Sequence, residues 1–272
     1  MLQVKPNMVA CQWFKLLLDA NQKPSPADDP LLAKSITDGL LYIPDDKTAQ
    51  QVASDYLRCL YEHIIRQLKT VVGGVAIDQM PLHFELTLPA TWSHAARDAT
   101  RQAAIDAGIG TRPRDTLVLI DEPEAAAISA MKSTIEAFPD NTAFKANKSV
   151  LICDLGGGTS DCVTYRIAKV SPLNLEEACV GIGGKCGSSS LDRAFWKFLG
   201  DIFGDAFKML PPKKTGPGSD LMRRFEELKC DFKGHHAGHE DYEIMLRMKV
   251  DVGADTKLGR YYDEDFNIKF TR

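Results

Sequence analysis

Apolar residues recur at helical spacing near the N-terminus, at Val9, Trp13 and Leu16, and again beyond a polar stretch around Asn21 to Asp29, at Val52, Tyr56, Leu60 and Ile64. Both stripes predict amphipathic helices that bury these side chains. From Leu82 the period changes: His83-Phe84-Glu85-Leu86-Thr87-Leu88 alternates with period two, Pro89 stops it, and Ser93 opens an alanine-rich helix ending at Gly108. The same step repeats with a strand at Thr116 to Ile120, Pro123 at a helix start, and helical sequence from Ala125 to Ile135. Alternating strand and helix predict an α/β layer with partly parallel pairing. After a polar connection from Phe138 to Lys148, sheet-like sequence runs from Ser149 to Ile167 and another strand from Leu173 to Gly181. Leu191, Phe195, Leu199 and Ile202 mark a helix, Met209 to Gly218 a loop, Leu221, Phe225, Leu228 and Phe232 a further helix, and Tyr242 to Lys249 a last strand.

The composition fits an ordinary globular chain: 272 residues, 44% apolar and 26% charged, enough for one or two cores. With 33 basic against 37 acidic groups no broad electropositive surface is expected, which argues against a nucleic-acid partner. The run Trp13-Phe14-Lys15-Leu16-Leu17-Leu18 is short and broken by a charge, so neither a signal peptide nor a membrane span is expected. Seven scattered cysteines in a chain of this size point to a reducing compartment, cytosolic or nuclear, and a cytoplasmic setting is expected.

The chemistry concentrates at Val150-Leu151-Ile152-Cys153-Asp154-Leu155-Gly156-Gly157-Gly158-Thr159-Ser160-Asp161. An apolar strand ends in three glycines, which take positive φ at little cost and let backbone N–H groups approach an anion. Cys162-Val163-Thr164-Tyr165-Arg166-Ile167 follows with alternating, β-branched character, so the glycines close a hairpin. A Walker loop and a dinucleotide fingerprint both need a helix after the glycines and are excluded. The glycines from Gly181 to Gly187 match neither spacing and read as a turn. Asp154 and Asp161 flank the loop, and two carboxylates beside a polyphosphate call for a divalent cation between them. The expected ligand is therefore a magnesium nucleotide. Asp154 orients metal-bound water or acts as base, Gly156, Gly157, Gly158 and Thr159 hold phosphate oxygens, and Asp161 reaches Mg2+ through water. The alternative is a tight glycine hairpin capped by Asp and Thr.

Asp154-Leu155-Gly156-Gly157-Gly158-Thr159-Ser160-Asp161 resembles the second phosphate loop of the heat-shock protein 70 (DnaK-type) family. Leu88-Pro89-Ala90 with its following helix, Asp121-Glu122-Pro123-Glu124-Ala125-Ala126-Ala127, Gly183-Gly184 and Leu191-Asp192-Arg193 fall where that family has similar neighbours. The resemblance implies a two-lobed actin-like ATPase (ribonuclease H-like) fold, present in part, with an incomplete N-terminal lobe over 1–145 and a second lobe over 146–272. It also implies ATP or ADP with Mg2+ as ligand, co-chaperones or clients as partners, and conformational coupling of the chaperone kind. Glu122 would hold metal-bound water, Pro89 and Arg97 would link nucleotide state to lobe geometry, and the helix bearing Glu226 and Lys229 would contact adenosine. Cys230 stands where the family commonly has an Arg on the adenine, and Cys186-Gly187-Ser188-Ser189 resembles the divergent branch found among large fungal and animal heat-shock-like proteins. No Asp-x-Gly-Thr hairpin precedes Leu82, and no lysine is assigned to face the phosphates. A chain truncated at both ends is expected, which counts against hydrolysis by this chain alone. A non-catalytic interaction module or pseudo-ATPase of the same fold is the alternative, and a sugar or acetate kinase a more distant one.

Other signals have plainer readings. Cys230, His235, His236 and His239 read as a solvated loop before a zinc site. Cys153 and Cys162 can approach each other across the hairpin but read as small buried side chains. Lys213-Lys214 and Arg223-Arg224 read as solvated pairs, and Trp13, Trp92 and Trp196 as buried residues.

Overall fold

Thr48 opens the longest helix with a reciprocal capping box: its hydroxyl accepts from the Gln51 amide while the Gln51 side chain accepts from its own. A computed structural model describes residues 11, 13–19, 25–32, 43–138, 144–216, 218–231, 241–245 and 267–271. They fall into two compact units. One comprises Trp13–Pro30 and Ile43–Ser188; the other is drawn mainly from Ser189–Arg272.

In the first unit a one-turn helix α1 (Phe14–Leu17) precedes α2 (Ala49–Val72) and the short α3 (Gly74–Gln79). Strand β1 (His83–Leu88), helix α4 (His94–Asp106) and strand β2 (Thr116–Asp121) follow, and β1 pairs with β2 in parallel, His83 against Thr116 through Leu88 against Asp121. The parallel step expected from the alternation is thus present. Ser93 caps α4 by accepting from the Ala96 amide. At the other end Gly108 takes φ 92°, and the Ile109 amide returns to the Ala104 carbonyl, a closure that suits a residue without Cβ. Ala96, Ala103 and Ala104 are wholly buried.

The apolar stripe of α2 is only partly where the sequence puts it. Val52 is buried, but Tyr56, Leu60 and Ile64 are 58%, 40% and 38% exposed. The packed stripe lies one residue on: Leu57 and Tyr61 meet Ala104, Ala107 and Ile109 together with Phe84, Leu86 and Leu117. Two adjacent faces of α2 are apolar, and the surface of α4 chooses between them.

Arg112 ties α3 to the start of β2. Its guanidinium donates to both carboxylate oxygens of Asp115 at 2.8 and 3.0 Å and to the carbonyls of Ile77 and Met80. The Asp115 side chain is fully covered and also accepts from the Leu82 amide at 2.8 Å. The Arg112 bond, helped by that amide, holds the Asp115 carboxyl below its ordinary pKa of 3.8. A depressed carboxyl contributes stability above its unfolded pKa and loses it as pH falls through the folded one. Asp115→Asn is therefore expected to lower stability at neutral pH by about 1 kcal/mol after solvent screening. Urea titrations of both proteins should show that gap closing as the pH falls below the carboxylate range.

Helix α5 (Glu122–Ala137) begins on the residue after β2, with Pro123 in its first turn. Ala127 of α5 packs on Val163 and Tyr165 of a second sheet. That sheet contains β3 (Ser149–Leu155), β4 (Ser160–Val170), β5 (Leu173–Glu177) and β6 (Ile182–Gly184). All pairing is antiparallel; β3 lies on one side of β4, while β5 and β6 share the other. The strand expected to run to Gly181 stops at Glu177, and part of the expected glycine turn is strand β6 instead. Along β4, Asp161, Val163, Tyr165 and Ile167 alternate into the interior, as period two requires.

The second unit packs α6 (Ser189–Phe203), α7 (Asp205–Lys208), α8 (Pro212–Thr215) and α9 (Asp220–Cys230) with the antiparallel pair β7 (Asp241–Met245) and β8 (Asn267–Thr271). Phe195, Leu199, Phe203, Phe207 and Leu221 form its core with Ile244 and Ile268, and Phe195 stacks on Phe225 at 3.9 Å between centroids. Leu191, expected on the buried stripe, is exposed. Arg223 and Arg224 pair with Asp220 and Glu227, as a solvated face does. Trp92 is buried, whereas Trp13 and Trp196 are partly exposed. His235, His236 and His239 lie outside the described residues. No helix of the described residues is long and apolar enough to cross a membrane.

Candidate functional site

The hairpin is set by its register. Leu155 pairs with Ser160 and Asp154 with Asp161, leaving Gly156, Gly157, Gly158 and Thr159 as the connection. The Gly156 amide donates to the Thr159 carbonyl at 3.0 Å. The Gly156 carbonyl accepts from the Ser188 amide at 3.0 Å and the Gly158 carbonyl from the Gly187 amide at 3.2 Å. Two of the loop's carbonyls are thereby held by the 187–188 segment. The amides of Gly157, Gly158 and Thr159 form no backbone hydrogen bond with any described residue.

None of the three glycines takes a positive φ, so the expectation that they serve the turn in that way is corrected. What the missing Cβ atoms give is space. A Cβ on Gly158 would stand 3.0 Å from Leu16 Cδ2, while one on Gly157 would meet nothing within 4 Å. The glycine that approaches the loop's backbone most closely is Gly187. A Cβ there would lie 2.6 Å from the Gly156 carbonyl oxygen and 2.7 Å from the carbonyl carbons of Gly157 and Gly158, closer than real Cβ contacts come. Gly187 is a backing plate for the loop.

In front of the loop is an open cavity of about 360 Å3 lined by Lys15, Leu16, Thr87, Glu122, Asp154, Gly156, Gly157, Gly158 and Thr159. Six residues expected from the sequence therefore meet in one place. Thr87 arrives from β1 and Glu122 from the first residue of α5, both at the C-terminal end of the parallel pair, where open α/β sheets place ligands. The Asp154 carboxylate has no hydrogen bond or ion pair with a described residue. Thr159 is buried and also borders a smaller cavity of about 50 Å3 with Asp19, Asp28, Thr91 and Lys185.

Lys15 lines the cavity without having been expected from the sequence. Its ammonium donates to Glu122 Oε1 at 2.7 Å and lies 5.5 Å from the Trp92 ring centroid. The available signal was a lone charge within the apolar run Phe14-Lys15-Leu16-Leu17. With Lys15, Glu122 and Asp154 the cavity holds one ammonium against two carboxylates, a balance that favours a cation-bearing anion over a bare one.

The remaining expected residues do not line this cavity. Asp161 is almost wholly buried, accepts from the Thr91 hydroxyl at 2.8 Å and packs against Gly183. Glu226 and Lys229 belong to the second unit, where the Lys229 ammonium contacts Asp192 and Glu226, each at 2.5 Å. Burial raises the Asp192 pKa despite that bond, and the carboxylates raise that of Lys229 despite burial. Pro89 is buried at the end of β1, and Arg97 pairs with Asp121 beside Glu122. Among the described residues no three His, Cys, Asp or Glu side chains cluster as metal ligands do.

A parallel strand–helix step leads into an antiparallel glycine hairpin, with carboxylates from both at one cavity, which fits the actin-like ATPase fold. A family model described as Hsp70 protein matches residues 42–266. The chain belongs to the Hsp70 family. It is 23% identical to human Heat shock 70 kDa protein 12A over 228 residues, covering 66% of this chain and 34% of that protein. Against human Heat shock 70 kDa protein 12B the figures are 24% over 239 residues, 70% and 34%. Chaperone protein DnaK of Thermus thermophilus is 29% identical over 166 residues, 61% of this chain and 22% of its own length. The chain thus spans about a third or less of these relatives. Similarity to the two human proteins agrees with the expected divergent branch.

Proposed function

We propose that this chain binds the phosphates of a magnesium-chelated ATP or ADP in the cavity at the glycine hairpin. The observation that carries the reading is the bonding of the loop: the Gly156 and Gly158 carbonyls accept from the Ser188 and Gly187 amides, while the amides of Gly157, Gly158 and Thr159, all cavity-lining residues, bond to no described residue. Unpaired N–H groups of a glycine loop beside an open cavity suit an anion. Lys15 would add a mobile positive charge to phosphate oxygens. Mg2+ would supply charge neutralisation between the phosphates and the acids, held through water by Asp154 and Glu122, with Asp161 supporting the strand behind. The carboxylates fit that ion better as water-mediated partners than as direct ligands, since no ligand cluster forms among the described residues.

Pro89 and Arg97 as coupling residues and a lobe division near residue 145 belong to this same reading. So do a cytoplasmic setting and co-chaperones or client proteins as partners. Hydrolysis is not part of it.

Calorimetric titration with ADP is the test, run with magnesium, without it, and on Asp154→Ala. Binding is expected with magnesium, and a loss of about tenfold or more, near 1.4 kcal/mol, on removing either the ion or the carboxylate. Absence of binding under all three conditions would leave the non-catalytic interaction module as the reading.

A further inference from the structure

Cys153 and Cys162 face each other directly across the hairpin. Their pairing site can be classified from the bonds around it. The Gly156 amide bonds the Thr159 carbonyl and the Ile167 amide bonds the Lys148 carbonyl. In an antiparallel ladder hydrogen-bonded and non-hydrogen-bonded pairs alternate. Counting from either end, even-numbered β3 positions are bonded and Cys153–Cys162 is a non-hydrogen-bonded pair. At such sites Cα atoms stand about 4.5 Å apart, within the separation of about 4.4–6.8 Å that a disulfide spans. Both residues are free thiols, and Cys153 is exposed rather than buried as its sequence context suggests, with Cys162 half-buried.

We propose that Cys153 and Cys162 form a reversible dithiol–disulfide site that exchanges with low-molecular-weight disulfides. The two sulfurs have distinct parts. Cys153 is the exposed member of the pair and Cys162 the half-buried one, so Cys153 meets the small disulfide and supplies the attacking thiolate. The Cys153 sulfur attacks one sulfur of the small disulfide, whose S–S bond breaks and releases one thiolate that takes up a proton. The Cys162 thiol gives its proton to solvent and attacks the Cys153 sulfur, expelling the second small thiol. Two protein thiols are oxidised and one small disulfide is reduced to two thiols. The site is independent of the nucleotide reading, although the strands it links carry the phosphate loop.

The sequence makes the experiment direct. No Lys or Arg lies between Lys148 and Arg166, so trypsin releases both cysteines on one peptide. The purified full chain is treated with oxidised glutathione, quenched in acid, alkylated and digested for mass spectrometry. The 149–166 peptide is expected to be unalkylated and lighter by two hydrogens, and to return to the doubly alkylated form after reduction. Cys162→Ser is expected to accumulate a glutathione adduct on Cys153, and Cys186→Ser to leave the cross-link unchanged. A doubly alkylated peptide after oxidation would overturn the proposal. So would a persistent adduct in the unaltered chain, or a link to the separate peptide holding Cys186.

Discussion

Replacing Gly187 by valine, Gly187→Val, is expected to remove magnesium-ADP binding and to destabilise the first unit by about 1–3 kcal/mol, the range for forced overpacking. The atoms a Cβ would strike are the Gly156 carbonyl oxygen and the carbonyl carbons of Gly157 and Gly158. All are backbone, so no side chain can swing aside. Relief requires the loop to move, which breaks the bonds from the Gly187 and Ser188 amides that orient its carbonyls. Gly157→Ala makes the contrast, because nothing lies within 4 Å of its added methyl and its φ is not positive. That variant should keep its stability in urea titration. Equal stability losses in the two would show that the loop tolerates no side chain anywhere rather than being backed at one point.

Lys15→Ala is expected to weaken magnesium-ADP binding by about 10–100-fold, in the range of about 1.4–2.7 kcal/mol, while thermal stability changes little. The Lys15–Glu122 pair is half exposed on the lysine side, and such pairs contribute little to folding. The same ammonium is the sole cation lining the cavity among the described residues. Its loss leaves Glu122 and Asp154 facing the incoming phosphates uncompensated. Lys15→Arg should recover part of the affinity by restoring charge with altered reach. Calorimetry on the three proteins distinguishes this from a folding effect, since a merely structural lysine would change the melting temperature and the apparent affinity together.

What could be read from sequence was local. Ser93 as a cap, Gly108 as a helix closure and the hairpin around the glycine triplet depend on residues within a few positions of one another. The cavity residues Glu122, Asp154 and Gly156 through Thr159 were legible because the motif carries its chemistry in order. Lys15 was not, because 107 residues separate it from the carboxylate it meets and no spacing rule connects them. The α2 stripe failed for a related reason: Tyr56, Leu60 and Ile64 have the right period, but so do Leu57, Tyr61, Ile65 and Leu68, and it is Leu57 and Tyr61 that pack on the neighbouring helix. Only the positive φ expected of the three glycines is absent; turn preference is visible in residue type, whereas the close approach of Gly187 depends on a segment that arrives later in the chain.

Strand β2 ends at Asp121 and helix α5 starts at Glu122, with no linker between them, and Arg97 grips Asp121 at that seam. The junction has no slack. Each residue of a helix advances its direction by about 100°, so a single inserted residue would swing the Glu122 carboxylate away from the cavity mouth and rotate Ala127 off the hairpin sheet. The acid is thus indexed to the parallel strands like a tooth on a shaft, and its aim is governed by the rigid pair behind it rather than by its own side-chain freedom.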